Sequence, residues 1–312
     1  MKRNACMMIA AFTTSTMAAE PWSAAEKDGR LEGKRGSSVV LAWQATPLSK
    51  PVGGDKFISS AFLHPLRTPA GFECTTIQPS DHLHHLGLWW PWKFIEVDGA
   101  KYNAWEIQEG QGAHVARSAK LLSNGPDKLE WELVNETVIK KPGAAPEPVI
   151  LETTHLTITS DGDDAHMLDV SIKQKALGKP VTITAYRYSG FSWRGPASWN
   201  KSNSIMTTSE GKGRDDANAK PARWVIVSGP ASNNSASVLL MSAAATPEKL
   251  RVWDSKAHDG APFVNFNPVM GQSLPLDDSH PDVSNRRYRV IAADRVIDAN
   301  AAEAAWKKWM QK

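Results

Sequence analysis

Cysteine is scarce in this chain. Only two of its 312 residues are cysteine, Cys6 and Cys74. Cys6 lies within an opening stretch that has a basic start, a short apolar run and small residues up to position 19, which is the layout of a secretory leader. We therefore expect residues 1–19 to be a signal peptide and the mature protein to be periplasmic or secreted; a disordered amino-terminal tail is the alternative. Cleavage would leave Cys74 alone, which excludes an intrachain disulfide.

Long apolar runs and an excess of one charge are missing as well. No run approaches the length of about 18 apolar residues that a membrane-spanning helix needs. The chain has 36 basic and 33 acidic residues, and loss of the leader removes two basic residues and no acidic one. Electrostatic attraction to nucleic acid or to an anionic membrane is therefore not expected.

Helical periodicity is rare, and strand periodicity dominates. Residues 129–139 alternate apolar side chains with Glu130, Glu132 and Glu136, the pattern of a half-buried strand. The turn sequence "SDGDDA" joins two further strand patterns at 149–159 and 166–175, which predicts a hairpin. Other strands are expected at 38–43, 56–63, 181–188, 224–227, 237–241, 250–253 and 287–292.

Only the carboxyl end has a helical pattern. Asp298 is a suitable N-cap for "ANAAEAAWKKWM", in which Trp306 and Trp309 share one face. The sequence thus predicts an all-β protein, a large antiparallel β-sandwich with a short carboxyl-terminal helix. We expect residues 38–312 to form a single domain and residues 20–37 to be a flexible segment. The long polar stretch at 202–221 is expected to be a functional or mobile loop.

Tryptophan and histidine are concentrated in one place. The chain has 13 tryptophans against 4 tyrosines, and residues 81–90 read "DHLHHLGLWW". On an extended strand His82 and His84 would share one face and His85 the other. Such a pair could ligate a divalent metal, with a third ligand from His64, Glu106 or Asp81.

Acid–base chemistry is the other interpretation of this segment. Imidazole exchanges protons near neutral pH, arginine stabilises oxyanions, and indole stacks on the apolar faces of sugar rings. The candidate catalytic residues are His85, His82 and Glu106. The candidate substrate-binding residues are His64, Arg67, Trp89, Trp90, Arg187 and Arg194.

Several established catalytic motifs are missing. The sequence has no Gly-x-Ser-x-Gly elbow, no His-Glu-x-x-His pair and no phosphate-binding glycine loop. Cys74 has no neighbouring histidine that would activate a nucleophile. These observations exclude the serine-hydrolase, zincin and nucleotide-binding patterns and leave the His/Trp segment as the candidate site.

Four motifs together resemble a known family. They are "HPLRTPAG", "DHLHHLGLWWPW", "PARWVIVSGP" and "FVNFNPV", and the resemblance extends from about Val39 to Ala293. The sequence resembles secreted bacterial proteins that carry the label "methane oxygenase PmoA". Since a methane monooxygenase subunit is an integral membrane protein, the resemblance implies instead a β-sandwich protein of glycan-degrading bacteria.

The same layout is similar to the galactose mutarotase-like supersandwich of sugar epimerases and polysaccharide lyases. In mutarotases a histidine followed by a glycine acts as an acid, and His85-Leu86-Gly87 stands in a comparable place. No second mutarotase motif matches, so the similarity implies the fold and does not carry over the catalytic residues. We therefore expect a carbohydrate-active protein, and an enzyme of elimination, epimerisation or hydrolysis. A non-catalytic glycan-binding module and a His-ligated metalloprotein are the alternatives, and the sugar remains open.

Overall fold

A computed structural model describes residues 20–232, 234–253 and 260–311. The strands are β1 (Trp22–Lys27), β2 (Arg30–Arg35), β3 (Ser38–Gln44), β4 (Leu63–Leu66), β5 (Leu88–Trp89), β6 (Phe94–Val97), β7 (Ala100–Asn103), β8 (Gly112–Asn124), β9 (Lys128–Ile139), β10 (Glu147–Ser160), β11 (Ala165–Ala176), β12 (Thr182–Ile183), β13 (Phe191–Arg194), β14 (Ile205–Thr208), β15 (Trp224–Ala231), β16 (Asn234–Ser242), β17 (Lys249–Val252), β18 (Phe263–Asn267), β19 (Leu274–Pro275) and β20 (Asn285–Ala293). The helices in this part of the chain are α1 (Pro281–Ser284) and α2 (Ala299–Met310).

These strands form two large sheets and one small one. The first sheet has the order β1-β2-β3-β4-β5-β13-β18-β17, and the second has the order β14-β15-β16-β20-β11-β10-β9-β8. A third sheet of four strands has the order β19-β12-β6-β7. One hydrophobic core contains Leu41 and Trp193 of the first sheet together with Leu133, Val170 and Val290 of the second. The prediction of a large antiparallel β-sandwich is confirmed.

Local sequence pattern explains the centre of the second sheet. Along β9, Leu129, Trp131 and Leu133 are buried, and the glutamates between them lie on the wetter face, as the alternation predicts. Strands β10 and β11 pair antiparallel around the expected turn, in which Gly162 has a φ of 73°. This hairpin and its neighbours form a rigid wall of the sandwich.

The amino-terminal segment corrects one expectation. Residues 22–35 form the hairpin of β1 and β2 at the edge of the first sheet, not a flexible segment. Trp22 and Leu31 are buried in the core, and the backbone N–H of Trp22 donates to the carbonyl of Gly125 at 2.7 Å. Burial of Trp22 and Leu31 holds this segment against the sheet, although its polar composition had suggested a flexible segment.

Two predicted strands are shorter than expected. Residues 56–63 contain a single 3₁₀ turn, Asp55–Phe57, and β4 begins only at Leu63. In 181–188 only β12 is extended, and the rest is a loop whose backbone is bound by the side chains of Ser273 and Asn267. Side chains distant in sequence therefore satisfy this backbone in place of a strand partner.

The carboxyl-terminal helix forms as predicted. The Asp298 side chain accepts a hydrogen bond from the backbone N–H of Ala301 at 2.8 Å and caps α2. Trp306 and Trp309 pack against a cluster that includes Trp224 and Leu239 of the second sheet. In the part of the chain that the structure describes, no helix is both long enough and apolar enough to cross a membrane.

A buried carboxylate connects the tryptophan-rich segment to the second sheet. Glu152 of β10 is fully buried and accepts hydrogen bonds from Trp90 Nε1 at 2.8 Å and Gln174 Nε2 at 2.6 Å. Asn135 and Thr154 donate to the same carboxylate, and Nε2 of His114 lies 3.4 Å from it. Burial favours protonation of Glu152, but His114 and the hydrogen bonds prevail and lower its pKa to about 2.

Candidate functional site

The histidine-rich segment is a turn and not a strand. Residues 81–85 lie between strands, and the backbone N–H of His85 donates to the carbonyl of His82 at 3.0 Å. The turn places all three imidazoles together, with ring centroids 4.8 Å apart for His82 and His85, 5.0 Å for His84 and His85, and 5.6 Å for His82 and His84. The expectation that His85 faces away from the other two was therefore wrong, because it assumed extended backbone.

These imidazoles line a pocket of about 400 Å³. Its wall contains five of the residues that the sequence predicted: His82, His84, His85, Glu106 and Arg187. It also contains five that the sequence analysis did not select: Trp105, Tyr188, Arg251, Trp253 and Phe263. The pocket thus combines proton-exchanging groups, two guanidinium groups and aromatic rings.

Aromatic rings surround His85 at the base of the pocket. Its imidazole stacks on Trp253 at 5.3 Å and on Phe263 at 4.8 Å between centroids, and Trp89 lies 4.9 Å away. His85 is 2% exposed. Trp89 is buried beneath it and supports the wall without being part of the lining. These contacts fix the ring and leave little of it accessible to a ligand.

The buried side chain of Arg194 contacts Asp81 and His85 and holds the turn in place. Arg194 donates from Nη2 to Asp81 Oδ2 at 2.7 Å, and His82 Nδ1 lies 3.4 Å from the same oxygen. Burial would raise the pKa of Asp81, but Arg194 outweighs it and the pKa is lowered. Nη1 of Arg194 lies 3.5 Å from His85 Nδ1, and because guanidinium only donates, the imidazole nitrogen must accept in that contact. Arg194, 2% exposed, is a support for the site and does not line it.

Glu106 is held as an anion at one side of the pocket. Asn103 ends β7, and its side-chain oxygen accepts from the backbone N–H groups of Trp105 and Glu106, both at 3.0 Å. The Glu106 carboxylate accepts hydrogen bonds from the ammonium of Lys93 and the hydroxyl of Tyr188.

The charge state of Glu106 follows from these contacts. Burial would raise its pKa, but the hydrogen bonds from Lys93 and Tyr188 and the Lys93 charge outweigh burial and lower the pKa. Burial and the neighbouring Glu106 anion raise the pKa of Tyr188. At neutral pH the carboxyl is therefore ionised and the phenol keeps its proton, so Glu106 cannot serve as the proton donor.

His84 is a neutral imidazole at physiological pH. Burial lowers its pKa to about 4; the Glu106 anion opposes this shift, while the charges of His82, Lys93 and Arg194 add to it. A neutral ring can accept one hydrogen bond and donate another. His84 therefore contributes polar contacts to the pocket without a charge.

A metal site would need three suitably placed ligand side chains. Within residues 20–232, 234–253 and 260–311, no group of three histidine, cysteine, aspartate or glutamate side chains is arranged to hold a metal ion. His82 and His84 share the pocket, but His64 lies elsewhere. The donors present thus do not form a three-ligand site of the kind considered for the sequence.

Of the six predicted substrate-binding residues only Arg187 lines the pocket; Trp89 and Arg194 support its wall, and the other three have different partners. His64 Nδ1 is 2.9 Å from Thr75 Oγ1, and Arg67 donates from Nη2 to Glu73 Oε2 at 2.9 Å. Trp90 is fully buried and donates to Glu152. The expectation that Trp90 provides a stacking surface is corrected: the buried carboxylate draws its indole into the core.

Some of the missed residues had a signal in the sequence. Tyr188 belongs to the unusual stretch "YRYSGFSWRGP", and Trp105 directly precedes Glu106. Phe263 opens the motif "FVNFNPV" of the family resemblance. Arg251 and Trp253 stand in ordinary strand sequence and are brought to the pocket by the pairing of β17 with β18, so no local pattern could have selected these two.

The chain belongs to a family of unknown function, DUF6807, whose pattern matches residues 32–307. No curated protein sequence matches it. The label "methane oxygenase PmoA", suggested by the motifs, has no support in these comparisons.

Two solved structures show how distant the structural similarities are. A GalM/aldose epimerase homologue from C. elegans aligns with 88% of this chain and 100% of its own, at 7% identity and a TM-score of 0.38. A heparan sulfate lyase HepC mutant from Pedobacter heparinus aligns with 90% of this chain and 36% of its own, at 9% identity and a TM-score of 0.36. At these values neither similarity transfers a substrate or a catalytic residue.

Proposed function

We propose that the pocket binds a carbohydrate and transfers protons to and from it. The supporting observation is the convergence of three imidazoles, an ionised carboxylate and a tyrosine hydroxyl on one pocket of about 400 Å³ with aromatic walls. A pocket of this size accommodates one or two sugar rings. The rings of Trp105, Trp253 and Phe263 offer apolar faces to a sugar, and the polar groups between them can bind its hydroxyls.

His82 is the acid–base residue that the geometry favours. Its side chain is 28% exposed, whereas His85 is 2% exposed and stacked between rings. Asp81 lies 3.4 Å from His82 Nδ1, and Arg194 holds the Asp81 carboxylate in place. A carboxylate at Nδ1 orients an imidazole so that Nε2 exchanges the proton. The assignment thus moves from His85 to its neighbour in the same turn.

The ionised state of Glu106 supports proton transfer at carbon over hydrolysis. Two-carboxylate hydrolysis needs an acid and a base flanking the bond, but Glu106 is the one carboxylate in the described lining and it is ionised. Proton transfer at carbon needs only a base and an acid. His82 would take a proton from a sugar carbon made acidic by an adjacent carbonyl or carboxyl group. The electron pair left behind then either expels the β-oxygen substituent, which takes the proton from the His82 imidazolium as it leaves, or is reprotonated by water on the opposite face while the His82 imidazolium returns its proton to solvent.

The expected signal peptide at residues 1–19 supports a cellular location for this activity. A secretory leader would deliver the mature chain to the periplasm or the exterior, where glycans are degraded. Because Cys74 is buried and no other cysteine would remain, the folded protein would need no oxidative pairing there. We include periplasmic or secreted location in the proposal.

Replacement of His82 by glutamine tests the function. The wild-type protein is incubated with a panel of oligosaccharides, and products are followed by mass spectrometry and by the ultraviolet absorbance of an unsaturated sugar. Loss of a general acid–base residue lowers turnover by roughly 10²–10⁴-fold, while binding and thermal stability should change little. The matched control is His155→Gln, because His155 lies on β10 with a 51% exposed side chain and far from the pocket lining.

The results separate the alternatives. If His82→Gln turns over a substrate as fast as the wild type, His82 is not the acid–base residue. If the wild-type protein binds an oligosaccharide without converting any member of the panel, the pocket belongs to a non-catalytic glycan-binding module. If no sugar binds at all, the proposed function is wrong.

A further inference from the structure

Arg187 is a cation at the pocket that forms no ion pair with any carboxylate of the described residues. It is exposed and lines the pocket. Its guanidinium carbon lies 5.9 Å from the Tyr186 ring centroid and 5.7 Å from that of Tyr188. An arginine that aromatic rings keep at a pocket, and that no described carboxylate neutralises, is suited to an anionic group on a ligand.

The loop that carries Arg187 is held in a fixed position. Asn265 Nδ2 donates to the carbonyl of Ser189 at 2.9 Å, and Ser189 N–H donates back to Asn265 Oδ1 at 3.1 Å. Asn267 Nδ2 donates to the carbonyl of Tyr186 at 2.8 Å. Both asparagines belong to β18, so the sheet fixes the loop on either side of Arg187. The backbone that carries Arg187 therefore needs no ordering when its guanidinium binds a ligand.

The carboxylates at and beneath the pocket already have cationic partners. Glu106, the acidic residue of the described lining, is paired with Lys93, and Asp81 is paired with Arg194 beneath the turn. Neither carboxylate forms an ion pair with Arg187. Among the described lining residues, the positive charge of Arg187 is therefore left for a ligand.

We propose that the ligand is an acidic sugar whose carboxylate binds Arg187. The proposal rests on the proposed function and names its substrate class. The chemistry agrees with the reaction, because a carboxyl group acidifies the hydrogen on the adjacent carbon. Negative charge grows on the carboxylate as that hydrogen leaves, and a guanidinium in contact with it stabilises this charge.

Pairs of oligosaccharides that differ only in charge test the proposal. Oligomers of glucuronate, galacturonate and mannuronate are each compared with the carboxyl-reduced, neutral form of the same oligomer by isothermal titration calorimetry. Acidic oligomers should bind at least tenfold more tightly than their neutral forms, and added salt should weaken only the acidic ones. Arg187→Gln should weaken the acidic oligomers by about tenfold to a hundredfold and leave the neutral forms unchanged.

Two control variants complete the experiment. Arg187→Lys keeps the charge but not the planar pair of donors, so its affinity should lie between those of wild type and Arg187→Gln. Arg117→Gln removes an exposed arginine of β8 that pairs with Glu136 at 2.7 Å, outside the pocket lining, and should leave every affinity unchanged. A fall in affinity common to both glutamine variants would indicate a non-specific charge effect and would contradict the proposal.

The failures of the two proposals are distinguishable. Equal binding or conversion of acidic and neutral oligomers refutes the acidic substrate and leaves carbohydrate chemistry standing. Unchanged affinity of Arg187→Gln for acidic oligomers refutes Arg187 as the partner of the carboxylate. If neither form of any oligomer binds or reacts, both the proposed function and this inference are wrong.

Discussion

Replacement of Glu152 by glutamine probes the buried charge that holds the tryptophan-rich segment. The carboxylate accepts hydrogen bonds from Trp90, Asn135, Thr154 and Gln174 at 2.6 to 2.9 Å. Glutamine has nearly the same shape, but its NH₂ group would face donors that need an acceptor. Because no solvent reaches Glu152, those donors would stay unsatisfied.

The magnitude follows from the pKa of Glu152. Its pKa is about 2 in the folded protein against 4.5 for an ordinary glutamate, which corresponds to about 3 kcal/mol of stability. Since the folded-state pKa is the lower one, this contribution is complete above the unfolded pKa and is lost as the pH falls toward 2. Between about pH 6 and pH 3 the loss should be about 2 kcal/mol. At neutral pH the substitution itself should cost about 3–5 kcal/mol.

Urea unfolding followed by tryptophan fluorescence measures both quantities. The free energy of unfolding is determined for wild type and Glu152→Gln at several pH values between about 6 and 3, and the difference between the two proteins is plotted against pH. Taking the difference removes the contributions of other carboxyl groups, such as Asp81 and Glu106. The control is Glu132→Gln, whose side chain is 35% exposed on the neighbouring strand β9 and 3.4 Å from His155.

The expected difference between wild type and Glu152→Gln shrinks as the pH falls. A difference that stays constant over the whole range would mean that Glu152 has the same pKa in both states, and the assignment of a buried anion would be wrong. A neutral-pH cost no larger than that of Glu132→Gln would mean that the donors around Glu152 find other acceptors.

Two further outcomes concern the metal and the leader. If side chains alone carry out the proposed proton transfer, EDTA treatment should leave turnover unchanged; loss of turnover that a divalent cation restores would favour the metalloprotein alternative. Expression with the natural amino terminus in a Gram-negative host should yield protein whose intact mass corresponds to cleavage after Ala18 or Ala19, and uncleaved cytoplasmic protein would rule out the periplasmic assignment.

Local features of the sequence determined much of the fold. The period-2 alternation of β9, the glycine turn between β10 and β11, and the Asp298 cap of α2 each depend on neighbours a few residues away. Turns and caps depend on the backbone conformations that particular residues prefer, and alternation separates solvent-facing from buried side chains. Both kinds of information can be read directly from the sequence. The same is true of the density of histidine and tryptophan at residues 81–90, which indicated the site.

Tertiary contacts decided which of those residues share the pocket. Trp90 donates a hydrogen bond in the core to Glu152, 62 residues away in the sequence. The hydrogen bond from Tyr188 to Glu106 joins residues 82 positions apart, and the one from Arg194 to Asp81 joins residues 113 positions apart. A buried polar group must find a partner, but strand order and register determine which partner is within reach. The sequence therefore indicated that this segment is chemically unusual, and only the packing of the sheets separated the residues that line the pocket from those that support it.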